Sequence, residues 1–173
     1  MNAHERETLE LLDAAVRAAA ASIEPIVADV DRKLRDAPGE VYAWATVPLD
    51  LYQVPLPESI RSSWVFVLRA NTTTGAERHP NSHQRMMSFR GRGDFPTRPG
   101  SEWISHRLRS DPDAPLEERW ISIPPSVWHQ GVVGAEDWAV VSFHTVPDHE
   151  LIEERPTEGD ADLVRQRRYA ESG

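Results

Sequence analysis

The residues of this chain best suited to chemistry are histidines with acidic and amide groups close beside them. The stretch GAERHPNSHQRMMSFRGRG, residues 75–93, holds Glu77, His79, His83 and Gln84. Carboxylate oxygens and imidazole nitrogens are the usual protein donors to divalent metals. Glu77 and His79 are two apart, so on a strand they share a face. Pro80, Asn81 and Ser82 are turn residues. After the turn, alternation puts Gln84, Met86 and Ser88 on one face and His83, Arg85 and Met87 on the other. A second stretch, WISIPPSVWHQGVV, runs an apolar strand into Pro124 and Pro125, turns at Ser126 and sends His129 back. Val127 and His129 then share one face, and Trp128 and Gln130 the other. A histidine facing the inside of a small barrel needs a partner or a metal to offset its burial.

These groups need elements to hold them. From Val41 onward, short runs rich in Val, Ile, Trp and Phe alternate with Pro, Gly, Asn and Asp. That texture predicts many short strands with frequent turns, as in a barrel or sandwich. Most tryptophans fall in these runs and are expected in the barrel core or an interface. Ahead of them, residues 5–35 read as helix. Leu9, Leu12, Val16, Ala19, Ile23, Ile26 and Val30 recur at alternating spacings of three and four, which makes one apolar stripe. Pro25 either kinks this helix or opens a second one capped by Ser22, and Gly39 ends the segment. The stripe must be buried, against the body of the domain or against a second copy. After Pro147 the chain is charged, and DADLVRQRRYA is expected to form a short helix. The expected organisation is an N-terminal helical segment (1–38), one β domain (39–147) and a charged tail (148–173).

The two histidine-bearing stretches resemble the two motifs of the cupin superfamily, small β-barrels that often bind one divalent metal. The family's second motif, Pro-x-Gly-x-x-His, is matched by Pro124, Ser126 and His129, with serine in place of glycine. The first is a glycine, a His-x-His pair, three or four residues, a glutamate, six residues and a glycine. Counting back six residues from Gly91 puts Gln84 at the glutamate position. His79 then takes the place of the second histidine and Glu77 that of the first, while Gly75 lies too close for the family's spacing. The resemblance covers roughly residues 41–146. It implies a mainly β chain, a single cupin-like jelly-roll barrel behind an N-terminal helical segment.

The resemblance also implies a metal, with two ligand sets open. One is Glu77, His79 and His129, with Gln84 as a weak fourth ligand or a hydrogen-bonding neighbour. The other is His79, His83 and His129. Two histidines and one carboxylate suit Fe(II) and oxygen chemistry, whereas an all-imidazole site also suits Zn or Ni. Mn is compatible with either. Arg90 continues the Gln84 face and is placed to hold a substrate carboxylate through a two-pronged pair. The function implied is a metal-dependent enzyme, foremost a non-haem Fe(II) dioxygenase acting on a small organic substrate. The alternatives are a metal-dependent isomerase or lyase, a barrel that binds a small anion without turnover, and an interaction protein that dimerises through its helix.

Composition narrows the partners. The chain has 173 residues and a net charge of −9, and an acidic surface repels phosphate backbones, so no nucleic-acid partner is expected. Arg78, Arg85, Arg90, Arg92 and Arg98 form a local basic run that suits a small anionic ligand instead. No cysteine is present, which removes disulfides and thiolate chemistry. No apolar run is long enough to span a bilayer, and the N-terminus lacks a basic start before an apolar core. A cytoplasmic protein, a small-molecule substrate and a homodimer built on the helical stripe are the expectations.

Overall fold

A computed structural model describes residues 2–157 and 160–168. The N-terminal segment is one helix, α1 (Ala3–Asp36). Asn2 caps it, its side-chain oxygen accepting from the Glu5 amide at 2.8 Å and so satisfying one of the free N–H groups of the first turn. The helix continues unbroken through Pro25. Proline inside a helix loses one hydrogen bond and clashes with the preceding turn, a cost of about 3 kcal/mol. The stripe on either side offsets it. Ile23, Val27 and Val30 are fully buried, and each buried aliphatic side chain contributes roughly 1.5–3 kcal/mol.

The stripe is covered by the chain's own β sheet. Strands β1 (Tyr42–Val47), β2 (Ser62–Leu68), β3 (Gln84–Arg90), β7 (Trp120–Ile123) and β10 (Trp138–His144) form an antiparallel sheet in the order β1-β2-β10-β3-β7. Val65 and Val67 of β2, Val141 and Phe143 of β10, Met87 and Trp120 pack with the helix in one apolar cluster. This face is therefore occupied within the chain and is not left exposed for a second copy. Two ion pairs fix the helix on the sheet. Asp13 accepts from Arg119 and from the Trp120 indole N–H, the latter at 2.8 Å. Glu5 takes both prongs of Arg85 at 2.7 and 2.8 Å.

The opposite face of the sheet looks into the barrel. All seven residues of β10 are buried, because one face meets the helix and the other the interior. Trp138, Val140, Ser142 and His144 point inward. The second wall is made of short pieces: β4 (Arg92–Asp94), β6 (Arg107–Arg109) and β9 (Val132–Val133) in one sheet, and β5 (Thr97–Arg98) with β8 (Trp128–His129) in another. Trp138, Phe95, Leu68, Met86 and Val140 fill the space between the walls. Gly93 is required there: a Cβ on it would lie 2.2 Å from the Trp138 ring.

The tail differs from its expectation. Residues 160–168 form a strand, β12 (Asp160–Arg168), paired antiparallel with β11 (Ile152–Thr157). A helix would have removed one of the two guanidiniums on the carboxylate of Glu153, which is 0% exposed and lies opposite Arg167 in the register. Arg167 Nε donates to it at 2.7 Å, and that tertiary pairing overrides the modest helix propensity of the segment. The last residues of the expected helix, Tyr169 and Ala170, lie outside the described residues.

The basic run also disperses. Arg78 pairs with Glu154, Arg85 with Glu5 and Arg90 with Glu24, while Arg98 lies over Trp103 and Trp128. Alternation and turns separate Arg85 and Arg90, which meet the helix, from Arg78 and Arg98, which both lie against Trp128.

Candidate metal centre

The segment carrying Glu77 and His79 is a single extended layer held between two strands. On one side Glu77 exchanges backbone hydrogen bonds with His129 at 2.9 and 2.8 Å. On the other, Arg78 exchanges them with Glu154 of β11 at 3.0 and 2.9 Å. Extended backbone alternates, so Glu77 and His79 turn inward while the Arg78 guanidinium lies 4.6 Å from the Trp128 ring centre. The turn before β8 delivers His129. Ser126 sits at φ 65°, the left-handed region that glycine enters without strain, and its amide donates to the His79 carbonyl at 3.0 Å. The serine thus adopts the backbone that the family's glycine position calls for.

Glu77, His79 and His129 bring one donor atom each within 4.8 Å of one another. Ligand atoms at 2.0–2.2 Å from a shared ion stand roughly 3–4 Å apart, so small side-chain movements would close this set on a metal. Glu77 Oε1 is already 3.7 Å from His129 Nε2. Both imidazoles are oriented by backbone carbonyls. His79 Nδ1 lies 2.9 Å from the Ile152 oxygen and His129 Nδ1 2.9 Å from the Val127 oxygen. A carbonyl can only accept, so Nδ1–H donates in each ring and Nε2 is the nitrogen left for a metal. This outer support is the arrangement that holds metal-binding histidines in other proteins. His129 Nε2 is buried and has no hydrogen-bond partner among the described residues. An orphaned imidazole nitrogen of this kind, aimed at a carboxylate, fits a divalent ion better than any protein group present.

The protonation states suit metal binding at neutral pH. Burial pushes the Glu77 carboxyl up, but the neighbouring His129, Arg155 and His79 outweigh it and bring it down to about 2. His79 is lowered to about 4, chiefly by burial and then by repulsion from His129. Glu77 is therefore ionised and His79 neutral, the forms that donate to metals.

Glu77 has a second partner that the sequence reading missed. Arg155 of β11 donates from Nη2 to Glu77 Oε2 at 2.5 Å and from Nη1 to the Thr74 carbonyl at 2.9 Å. Its Nε donates to Glu153 at 2.8 Å. Burial works against the Arg155 charge, but Glu77 and Glu153 raise its pKa above the ordinary arginine value. The available signal was the alternation of Glu153, Arg155 and Arg167, which reads as a paired strand once the tail is not taken as solvated.

Gln84 reaches the same interior. It lines a narrow cavity of about 30 Å³ with Glu77, Tyr42, Phe66, Met86 and Phe95. A chain of hydrogen bonds sets its amide. Ser82 Oγ donates to the His83 carbonyl at 3.3 Å, so it accepts from His144 Nδ1 at 3.2 Å. Burial, then the neighbouring imidazoles, hold the His144 pKa well below its ordinary value, so its Nε2 accepts from Ser142 at 3.2 Å. Ser142 must then accept from Gln84 Nε2, at 3.1 Å. This turns Gln84 Oε1 away from Ser142, and that oxygen has no partner among the described residues.

Two expected site residues lie elsewhere. His83 faces the N-terminus of α1, with Nε2 2.8 Å from Ser122 Oγ and 3.8 Å from Glu5 Oε1. Because β3 starts with Gln84 inward, His83 and Arg85 point outward, and the three-histidine set is not assembled. Arg90 is also absent from the cavity. A register shift between Ala139 and Val140 opposite Ser88 and Arg90 breaks the alternation of β3, and Arg90 Nη1 meets Glu24 of the helix at 3.7 Å.

No protein-family model and no curated protein sequence matches the chain. Solved structures do match in fold. The 11S globulin from Wrightia tinctoria, described as revealing an auxin binding site, is 15% identical, with 65% of this chain and 26% of that chain covered and a TM-score of 0.50. The recombinant pro-11S globulin of pumpkin is 16% identical, with 66% and 28% covered and a TM-score of 0.50. An oxalate oxidase solved with the substrate analogue glycolate is 16% identical, with 61% and 51% covered and a TM-score of 0.46. The chain thus spans about a quarter of the length of the globulins. Helix, antiparallel walls and the likeness to the two globulins together make this chain a mainly β protein with the cupin jelly-roll fold.

Proposed function

We propose that Glu77, His79 and His129 hold one divalent metal, Fe(II) foremost, and that the chain is a dioxygenase acting on a small organic substrate. The observation that carries the reading is the buried, unpartnered Nε2 of His129 directed at Glu77. A metal held by two histidines and one carboxylate supplies adjacent open positions for substrate and dioxygen. The chain's own contributions follow from the geometry. Val127 and Ile152 carbonyls fix the two imidazoles, and Arg155 holds one oxygen of Glu77 so that the other faces His129. Phe66, Met86 and Phe95 exclude water from the cavity, and Gln84 Oε1 offers a hydrogen-bond acceptor to its contents. The narrow cavity restricts the substrate to a few non-hydrogen atoms unless its walls move.

The test is metal analysis of protein reconstituted anaerobically, followed by oxygen-uptake screening of small organic substrates with Fe(II). The expected result is one metal per chain, lost in His129→Ala, and oxygen uptake that follows metal content. Reconstituted wild-type protein without metal would overturn the reading. A second reading, a ligand-binding barrel without turnover, is favoured by the Arg155–Glu77 pair, which balances the carboxylate without an ion. It predicts thermal stabilisation by ligand that survives a chelator.

A further inference from the structure

The charges around the candidate centre point to the kind of ligand it takes. Glu77, Arg155, Glu153 and Arg167 form a chain of alternating charge, with contacts of 2.5 Å from Arg155 to Glu77, 2.8 Å from Arg155 to Glu153 and 2.7 Å from Arg167 to Glu153. Two carboxylates against two guanidiniums sum to zero. The pair on the adjoining positions, Arg78 with Glu154, is also neutral. As ligands His79 and His129 add no charge. A carboxylate ligand ordinarily cancels one of the two positive charges of a divalent ion, but here Arg155 has already cancelled Glu77. The occupied site would carry its full double charge against His79 and His129, which are 4% and 1% exposed, and Glu77, whose side chain is 13% exposed. A net charge in such surroundings is costly unless a counter-charge joins it. Among the described residues none supplies one on the cavity side, which is lined, besides Glu77 itself, by the neutral Gln84 and Thr74 and by Tyr42, Phe66, Met86 and Phe95.

We propose that Arg155, by neutralising Glu77, makes this centre select a small anion, a short monocarboxylate, at the open side of the metal. The inference rests on the metal reading above. Arg155 is a positioning residue here: it reaches the ligand through Glu77 and the local charge. The apolar walls and the size of the cavity suit a carboxylate with a short aliphatic tail rather than a polyanion.

The experiment loads the full chain with Co(II), whose visible absorption reports ligands joining the metal, and titrates it with acetate and with its neutral isostere acetamide. Acetate is expected to change the spectrum and raise the melting temperature, and acetamide to bind at least about tenfold more weakly, the scale of one nearby unit charge at a protein-like dielectric. Arg155→Gln is expected to keep Co(II) and lose about tenfold in acetate affinity, while Arg155→Lys, which keeps the charge but not the three-way contact, retains more affinity than Arg155→Gln. A chain that takes up no Co(II) overturns the metal reading and this inference together. Loaded wild-type protein that binds acetamide as tightly as acetate overturns this inference alone, and does so whether or not Arg155→Gln folds. Unchanged acetate affinity in folded, loaded Arg155→Gln overturns it as well.

Discussion

Acidifying the metal-free protein should destabilise it well before its surface carboxylates titrate. His79 is buried and lowered to about 4, against an ordinary histidine value of 6.5. Between these values the unfolded chain binds a proton that the folded chain refuses. A group with a lowered folded pKa gives stability that is present above the unfolded value and lost as pH falls towards the folded one. For His79 the window runs from about 6.5 down to about 4. Linkage over that gap gives a loss of about 2 kcal/mol between pH 7 and pH 5. His144, lowered in the same direction by burial and by the imidazoles near it, adds to the loss. Glu77, brought down to about 2, contributes with the same sign only below its unfolded value of 4.5, so it is silent at pH 5. Urea unfolding at both pH values in the presence of a chelator measures the effect. With a slope of roughly 2 kcal/mol per molar, the midpoint should fall by about 1 M or more. His79→Gln should remove most of the His79 share of that fall. If the wild-type midpoint does not move, or if His79→Gln keeps the full pH response, the buried neutral His79 described above is wrong.

The other expectations are simpler. His129→Ala should abolish the rise in melting temperature that saturating Fe(II) or Co(II) gives the wild type, a rise worth about 2.7 kcal/mol at a hundredfold excess over Kd. His83→Ala should leave metal stoichiometry unchanged, because His83 sits against Ser122 and Glu5; lost metal would revive the three-histidine set. Asp13→Ala strands the buried Arg119 guanidinium and the Trp120 indole N–H, and should cost about 3–5 kcal/mol in chemical denaturation.

Much of the architecture could be read from the chain alone. The helix followed from its apolar stripe, because burial against any flat surface demands the same spacing. The barrel followed from short alternating runs and from the match of Pro124, Ser126 and His129 to a known motif. Glu77 and His79 could be placed on one face because alternation in extended backbone is a local rule. Choosing between Glu77 and His83 was not a local matter. It depends on how far the turn at Pro80–Ser82 runs before β3 begins, and β3 begins with Gln84 inward because its register with β10 pairs Gln84 with His144. Arg90 failed for the same kind of reason: a bulge set by the neighbouring strand redirected it. What covers the helix, a second copy or the chain's own sheet, was equally undecidable from periodicity. Arg155 and the Ile152 carbonyl come from a tail that composition alone marks as solvated. They reach the site because β11 pairs with residues more than seventy positions earlier. Local sequence decides which face a residue takes within its own strand, and only long-range strand pairing decides which faces meet.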